Sequence, residues 1–250
     1  MRNSITAGLR QGIGLRFFLA TSLVMVVLIL SVLEPLIKIY REFSILSYGY
    51  HLNLILDAMK SDTFMPFVAI VSVLPFSANY IDELKSKFAR YAMMRTGFGE
   101  YLVSKAVVCF LLGGMVVVTG VLLTYGFSSL VFLPLEKPSE GEGTQLTLLW
   151  ERCLTLFLSG GMWSLLGMTM STVMESKYIA YASPFVGYYL LVMLHERYFP
   201  DAYLIYPKQW LIPSQAWPFG IWGVTVFIME LSLILGFVFY IRGKRRLEQL

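Results

Sequence analysis

Few side chains in this 250-residue chain could carry bond chemistry, and their spacing does not bring them together. The only histidines are His51 and His195, which puts a multi-histidine metal site out of reach and leaves no HExxH motif. Ser159, within LSGG, and His195 form the one nucleophile–base pair that can be drawn, an intramembrane hydrolase. That chemistry needs a hydroxyl held against its base, and the glycines beside Ser159 are explained more simply by close helix packing. The stretch from Gly236 to Gly243–Lys244 imitates a phosphate loop, but its spacing is wrong and no Ser or Thr follows the lysine. Cys109 and Cys153 fall at different depths and read as small buried apolar residues, not as a disulfide. Glu230 is the one carboxylate deep inside an apolar run. Such a group lines a polar path or grips a basic cargo, or it pairs with a hydroxyl or a second protomer and fixes packing. The residues thus supply no catalytic motif, no metal site and no cofactor site.

A denser signal lies between Asp82 and Lys105, where DELKSKFARYAMMRTGFGEYLVSK separates two long apolar runs. Lys85, Lys87, Arg90 and Arg95 alternate with Phe88 and Tyr91, and Thr96–Gly97–Phe98–Gly99 supplies helix breakers. The spacing predicts a helix from Asp82 to Tyr91 that continues the preceding run, then a turn. Glu100–Tyr101 opens the next helix, and Lys105 snorkels to the membrane surface. The segment presents a charged and aromatic knob; its composition equally suits a solvated basic loop.

The elements that must position this knob are membrane spans. The chain is 57% hydrophobic and 14% charged, against about a quarter charged for an average soluble domain. Its apolar residues cluster into runs of the length that a ~30 Å hydrocarbon core requires. Six spans are predicted, at 15–34, 63–82, 101–126, 150–173, 177–195 and 218–241. Residues 1–14 read as a polar lead-in lying at the membrane surface, and the first span as a retained helix, not a cleaved signal. Pro66 and Pro75 mark a kink in the second span. The best uncharged stretch of the segment Leu36–Lys60 is too short to cross, which places the segment at the outer interface. The Tyr- and Trp-rich stretch around 196–218 reads as an interfacial aromatic belt. With both termini inside, 13 of the 20 Lys and Arg fall on the cytoplasmic side and 10 of the 16 Asp and Glu on the outer side. The net charge of +4 then faces anionic headgroups of the plasma membrane and does not argue for nucleic acid.

The region from Phe64 to Val118 resembles the second span, coupling loop and third span of permease subunits of ATP-binding-cassette exporters. The short stand-alone type common in Gram-positive bacteria is the nearer likeness. The matching residues are Leu74–Pro75–Phe76, Tyr80, Lys85, Phe88, Arg90–Tyr91, Arg95, Tyr101–Leu102 and Ser104–Lys105, with KYIAYASPF at Lys177–Phe185 as an inner turn and helix start. Many relatives carry a basic pair after the Arg–Thr, where this chain has Gly97–Phe98–Gly99–Glu100. The resemblance implies an all-α membrane fold with six spans, both termini cytoplasmic, and a coupling helix between the second and third. It implies two facing protomers, identical or homologous, each docked on a separate ATPase subunit that binds ATP and Mg. Lys87, Phe88, Arg90, Tyr91, Arg95, Thr96, Gly97, Phe98, Glu100 and Tyr101 would be the coupling residues, and Glu230 would face the translocation path. The cargo expected from such a family is amphipathic or hydrophobic: a peptide, an antibiotic or a lipid-like molecule. The opposing class is a membrane sensor or immunity subunit that binds a peptide with its outer loops.

Overall fold

A computed structural model describes residues 2–32, 37, 46–137, 144–211 and 217–248. Every helix or strand element among them is helical, and Leu46 and Glu136 form an isolated bridge. In chain order the α-helices are α1 (Arg2–Gly12), α2 (Leu15–Ser31), α3 (Tyr50–Met59), α4 (Phe64–Val71), α5 (Asn79–Lys85) and α6 (Phe88–Thr96). They continue with α7 (Phe98–Phe132), α8 (Thr144–Met174), α9 (Lys177–Arg197), α10 (Pro207–Leu211) and α11 (Ile221–Glu248). Three stretches are long and apolar enough to cross a membrane: Phe98–Leu135, Gln145–Met174 and Ile221–Glu248. The pair α1 and α2, bent by 58°, passes the same test together. The chain is an all-helical protein of membrane character.

The centre of the bundle is the antiparallel pair α7 and α8, and glycine sets their distance. A Cβ on Gly113 would lie 2.4 Å from the Ser164 Cβ and 2.8 Å from the Gly160 carbonyl oxygen; a Cβ on Gly160 would lie 2.8 Å from the Gly113 carbonyl oxygen. Where the surrounding solvent is as apolar as the side chains, helices gain by close backbone contact, and only small residues permit it. The neighbouring Gly114 and Gly161 receive the rings of Phe157 and Phe110, which meet edge to face at 5.9 Å.

Along an adjoining side of α7, the N-terminal helices run in its direction. Gly8 sits over Val108, Gly12 over Leu112, and Gly120 receives Val24. The polar lead-in expected at the membrane surface is therefore packed into the bundle: Gly8 and Gly12, four apart, form one smooth face on α1.

The second predicted span, 63–82, is not a single helix. It breaks between α4 and α5, where Ser72–Ala78 runs as successive turns. Pro75 has no N–H to give the ladder and crowds the preceding turn. The break is sealed inside protein, with Ser72, Val73, Phe76 and Ser77 all buried. Ser77 Oγ donates to the Ser164 carbonyl (3.1 Å) and lies 3.0 Å from Ser164 Oγ, while Cys109 Sγ approaches the same hydroxyl at 3.1 Å. Irregular backbone at membrane depth is tolerated where protein surrounds it and side chains satisfy it. Cys109 and Cys153 are free and buried, as the sequence suggested.

The fifth predicted span, 177–195, forms α9, although its tyrosines leave it less apolar than the three helices that are long and apolar enough to cross. Of Leu36–Lys60, residues 36 and 38–45 lie outside the described set. The remainder is packed on the bundle. In α3, His51, Leu54, Ile55, Leu56, Ala58 and Met59 are buried, and the helix packs on α2, α4, α7 and α8. The aromatic belt is likewise turned inward in part. Trp210 and Trp217 are buried, Trp210 stacking on Trp163 at 5.9 Å and Trp217 meeting Phe227 at 5.6 Å.

Glu136, just past the end of α7, caps α3. Its carboxylate accepts the backbone N–H of Gly49 (3.0 Å) and of His51 (2.8 Å), and lies 2.7 Å from His51 Nδ1. Gly49 turns the chain at φ 72°, a left-handed conformation that glycine adopts without penalty. Burial works to raise the Glu136 pKa, but the His51 and Gly49 donors outweigh it and hold the carboxyl below the ordinary range. A depressed folded-state pKa stabilises the fold above the usual carboxylate range, and that contribution is lost as pH falls through the folded value. Thermal unfolding in detergent is therefore expected to steepen in pH dependence below about pH 4.3, and Glu136→Gln to flatten that limb. Parallel pH profiles for the two proteins would refute the cap.

Candidate functional site

The segment singled out in the sequence becomes a separate short helix at one end of the bundle. The chain does not extend the preceding span to Tyr91. The preceding helix, α5, ends at Lys85, and Lys87 adopts φ 60°, ψ 7°, a left-handed conformation uncommon for a side chain with a Cβ. After α6, Gly97 takes φ 79°, ψ 155°, a region essentially closed to other residues. These two reversals of backbone hand set α6 across the ends of α5 and α7. Within α6, Thr96 Oγ1 donates to the Ala92 carbonyl, and the Gly97 N–H to that of Met93.

The residues of α6 divide by face. Ala89 and Met93, four apart, are buried against the bundle. Phe88, Tyr91 and Met94 point away, Tyr91 at 69% and Met94 at 77% exposure, with Arg95 and Phe98 beside them. Lys87 and Glu100 are also exposed, and Thr96 is half-buried. For Arg90 only the backbone lies within the described residues. Surfaces of this make-up, an aromatic and methionine stripe edged by arginine, are enriched where proteins bind each other.

Tyr101 is not part of that surface. It is buried and donates its hydroxyl to Glu83 Oε2 at 2.5 Å. Lys105 is buried as well, so it does not snorkel: its Nζ donates to Glu83 Oε1 at 2.5 Å. The ammonium also lies 5.1 Å from the Phe76 ring centre and 5.6 Å from that of Tyr101, within cation–π range. Glu83 stands before the loop and Tyr101 and Lys105 after it, so one buried carboxylate ties α5 to α7 beneath α6. Tyr80 adds α11 to the group, its hydroxyl lying 3.4 Å from the Gly243 carbonyl. Two open grooves flank α6, of about 900 and 640 Å³. Both are bordered by Gln11, Glu83, Phe88 and Tyr91, the first reaching Arg16 and Asp82 and the second Lys105.

Glu83 is the residue that sequence reasoning missed. One local signal was available: Tyr101 and Lys105 are four apart and share a helix face, which calls for an acidic partner on whatever packs there.

Glu230 does not line an internal path in this chain. It sits exposed on α11 among Val226, Met229, Leu233 and Ile234, which are exposed too. Ser159 borders a small cavity with Trp163, Tyr188 and Trp210, whereas His195 stacks on Tyr206 at 4.2 Å. At the end that carries α6, Arg246 donates to Glu175, fastening the turn between α8 and α9 to α11.

No family model, no curated protein and no solved structure matches the chain.

Proposed function

We propose that this chain is the permease subunit of an ATP-driven exporter, coupled through α6 to a separate nucleotide-hydrolysing subunit in the cytoplasm. The observation that carries the reading is α6 itself. It is a helix cut off at both ends by left-handed backbone, anchored by Ala89 and Met93, with Phe88, Tyr91, Met94 and Arg95 turned outward. A solvated loop has no use for that apolar stripe; a docking helix does.

In this reading the chain crosses the plasma membrane six times with both termini inside. The bent pair α1–α2 is the first span and the broken pair α4–α5 the second, and the basic end of α11 lies with α6 in the cytoplasm. The permease performs no bond chemistry. ATP and Mg are held by the partner, whose closure would displace α6. The Glu83–Lys105–Tyr101 group would pass that displacement to α5 and α7 together, biasing a two-state path. Glu230 supports a second protomer. An ionisable group on an apolar spanning face is costly unless something beyond this chain covers it. The cargo is amphipathic or hydrophobic in keeping with the apolar spans.

The test is isolation of the tagged chain in mild detergent, with subunit identification and ATP hydrolysis measured on the isolate. The wild-type chain is expected to bring down a soluble subunit with a phosphate-binding glycine loop and to show turnover. Tyr91→Ala is expected to weaken that association at least about 30-fold, the effect of a central aromatic anchor worth ~2 kcal/mol, while the thermal midpoint of the membrane chain stays in place. A solitary chain without turnover, or a Tyr91→Ala protein that keeps its partner at full affinity, removes the proposal.

A further inference from the structure

The face between α7 and α11 carries a groove of about 560 Å³ that the proposed coupling does not use. Its floor is made of small residues, Ala106 and Gly236, and its walls of Phe110, Met229, Leu233 and Phe237. A Cβ built on Gly236 would meet no atom within 4 Å, so the concavity is real space beside the helix. No Asp, Glu, Lys, Arg or His is among its lining residues. Of its polar groups, the Ser232 hydroxyl is already spent on the Ile228 carbonyl (2.7 Å), and the Tyr240 hydroxyl lies at one end, 3.5 Å from where a Cβ of Gly99 would stand.

Length and ends identify the occupant. The lining runs from Leu102 to Leu111 on α7 and from Met229 to Tyr240 on α11, which is roughly 14 to 17 Å along the helix axes. That is half of a ~30 Å hydrocarbon core, the depth of one leaflet. Both walls belong to helices apolar and long enough to cross a membrane. A slot of this volume takes a single small molecule, whereas a helix of a second copy, about 10 Å across, would rest on its rim. One turn beyond Tyr240 the groove face of α11 continues to exposed Lys244, with Arg242 and Arg245 exposed beside it. Among the described residues of this stretch of α11, Glu248 lies 3.9 Å from Lys244, and Arg246 donates to Glu175. Arg242, Lys244 and Arg245 thus outnumber Glu248 there.

We infer that the groove holds one acyl chain of an anionic phospholipid from the leaflet on the α6 side, with its headgroup at Lys244. The apolar slot sets the depth of the chain, and the basic end selects the headgroup. The site is independent of any ATPase.

Native mass spectrometry of the purified chain, released from micelles containing dioleoyl phosphatidylglycerol or dioleoyl phosphatidylcholine, tests it. The wild-type chain is expected to retain one phosphatidylglycerol at least fivefold more often than phosphatidylcholine. Lys244→Gln is expected to bring the two lipids level, since one surface cation near an anionic headgroup is worth about fivefold. Gly236→Leu, whose Cβ meets no atom within 4 Å and whose longer side chain would occupy the slot, is expected to reduce retention of both lipids severalfold. Equal retention of both lipids by the wild-type chain overturns the headgroup assignment, and unchanged retention by Gly236→Leu overturns the slot. A Gly236→Leu protein that shifts from dimer to monomer by light scattering, with lipid retention intact, overturns the inference in favour of a second copy.

Discussion

Glu83→Gln is expected to destabilise the protein by about 3–5 kcal/mol, the cost of stripping a buried ammonium of its carboxylate. Lys105 would remain 8% exposed, between the Phe76 and Tyr101 rings, with no second carboxylate in ion-pair range among the described residues to replace Glu83. The amide keeps the shape and one acceptor for the Tyr101 hydroxyl, so the loss reports charge, not volume. The double variant Glu83→Gln with Lys105→Met removes both charges, and it is expected to recover most of the stability, because a neutral pair of similar size no longer carries a desolvation cost. Reversible unfolding in mixed micelles, run as a double-mutant cycle, measures the coupling. A Glu83→Gln chain within about 0.5 kcal/mol of wild type, the scatter of uncoupled surface changes, would show that the ion pair does not brace the loop. The same cycle bears on mechanism. If α5 and α7 move as one under α6, the double variant should fold and yet couple poorly, separating stability from transmission.

Gly113→Ala is expected to cost about 1–3 kcal/mol, the usual range for overfilling a packed contact. Helix propensity acts in the opposite direction, favouring alanine by up to about 1 kcal/mol. The clash decides the sign, because the added methyl meets the Ser164 Cβ at 2.4 Å and the Gly160 carbonyl at 2.8 Å, and neither can swing aside as the end of a long side chain could. Gly126→Ala is the internal control. It lies on the same helix with nothing within 4 Å of the new Cβ, so alanine there should be neutral or stabilising. Equal effects at the two positions, measured by the same unfolding assay, would mean that α7 and α8 do not approach as closely as described.

The long apolar helices were legible because lipid imposes a strong local rule: a spanning segment must satisfy its own backbone and cover it with apolar side chains. Phe98–Leu135, Gln145–Met174 and Ile221–Glu248 each hold an apolar window long enough to obey that rule, and the glycines beside Ser159 announced close packing without naming their partners. Breakers at Gly97 and Gly99 likewise announced a turn between α6 and α7. The second span misled because its composition is uniformly apolar while Pro75 withholds a backbone donor. Turn bonds within the break, from the N–H groups of Leu74 and Ser77 to the carbonyls of Val71 and Val73, and the Ser77–Ser164 contact to α8 make it tolerable. The polar N-terminus misled for the converse reason: its value lies in the bare backbone of Gly8 and Gly12, which hydropathy does not register.

Local sequence thus determined that the protein is helical, of membrane character, and provided with an exposed aromatic knob near Tyr91. Tertiary structure alone decided which ionisable groups turn inward. Glu83 and Lys105 stand 22 residues apart on either side of that knob, and charge at such a distance along the chain carries no periodicity to read. Their burial follows from the approach of α5 to α7, because two opposite charges can leave water together when the fold brings them to within hydrogen-bonding distance and neither can do so alone.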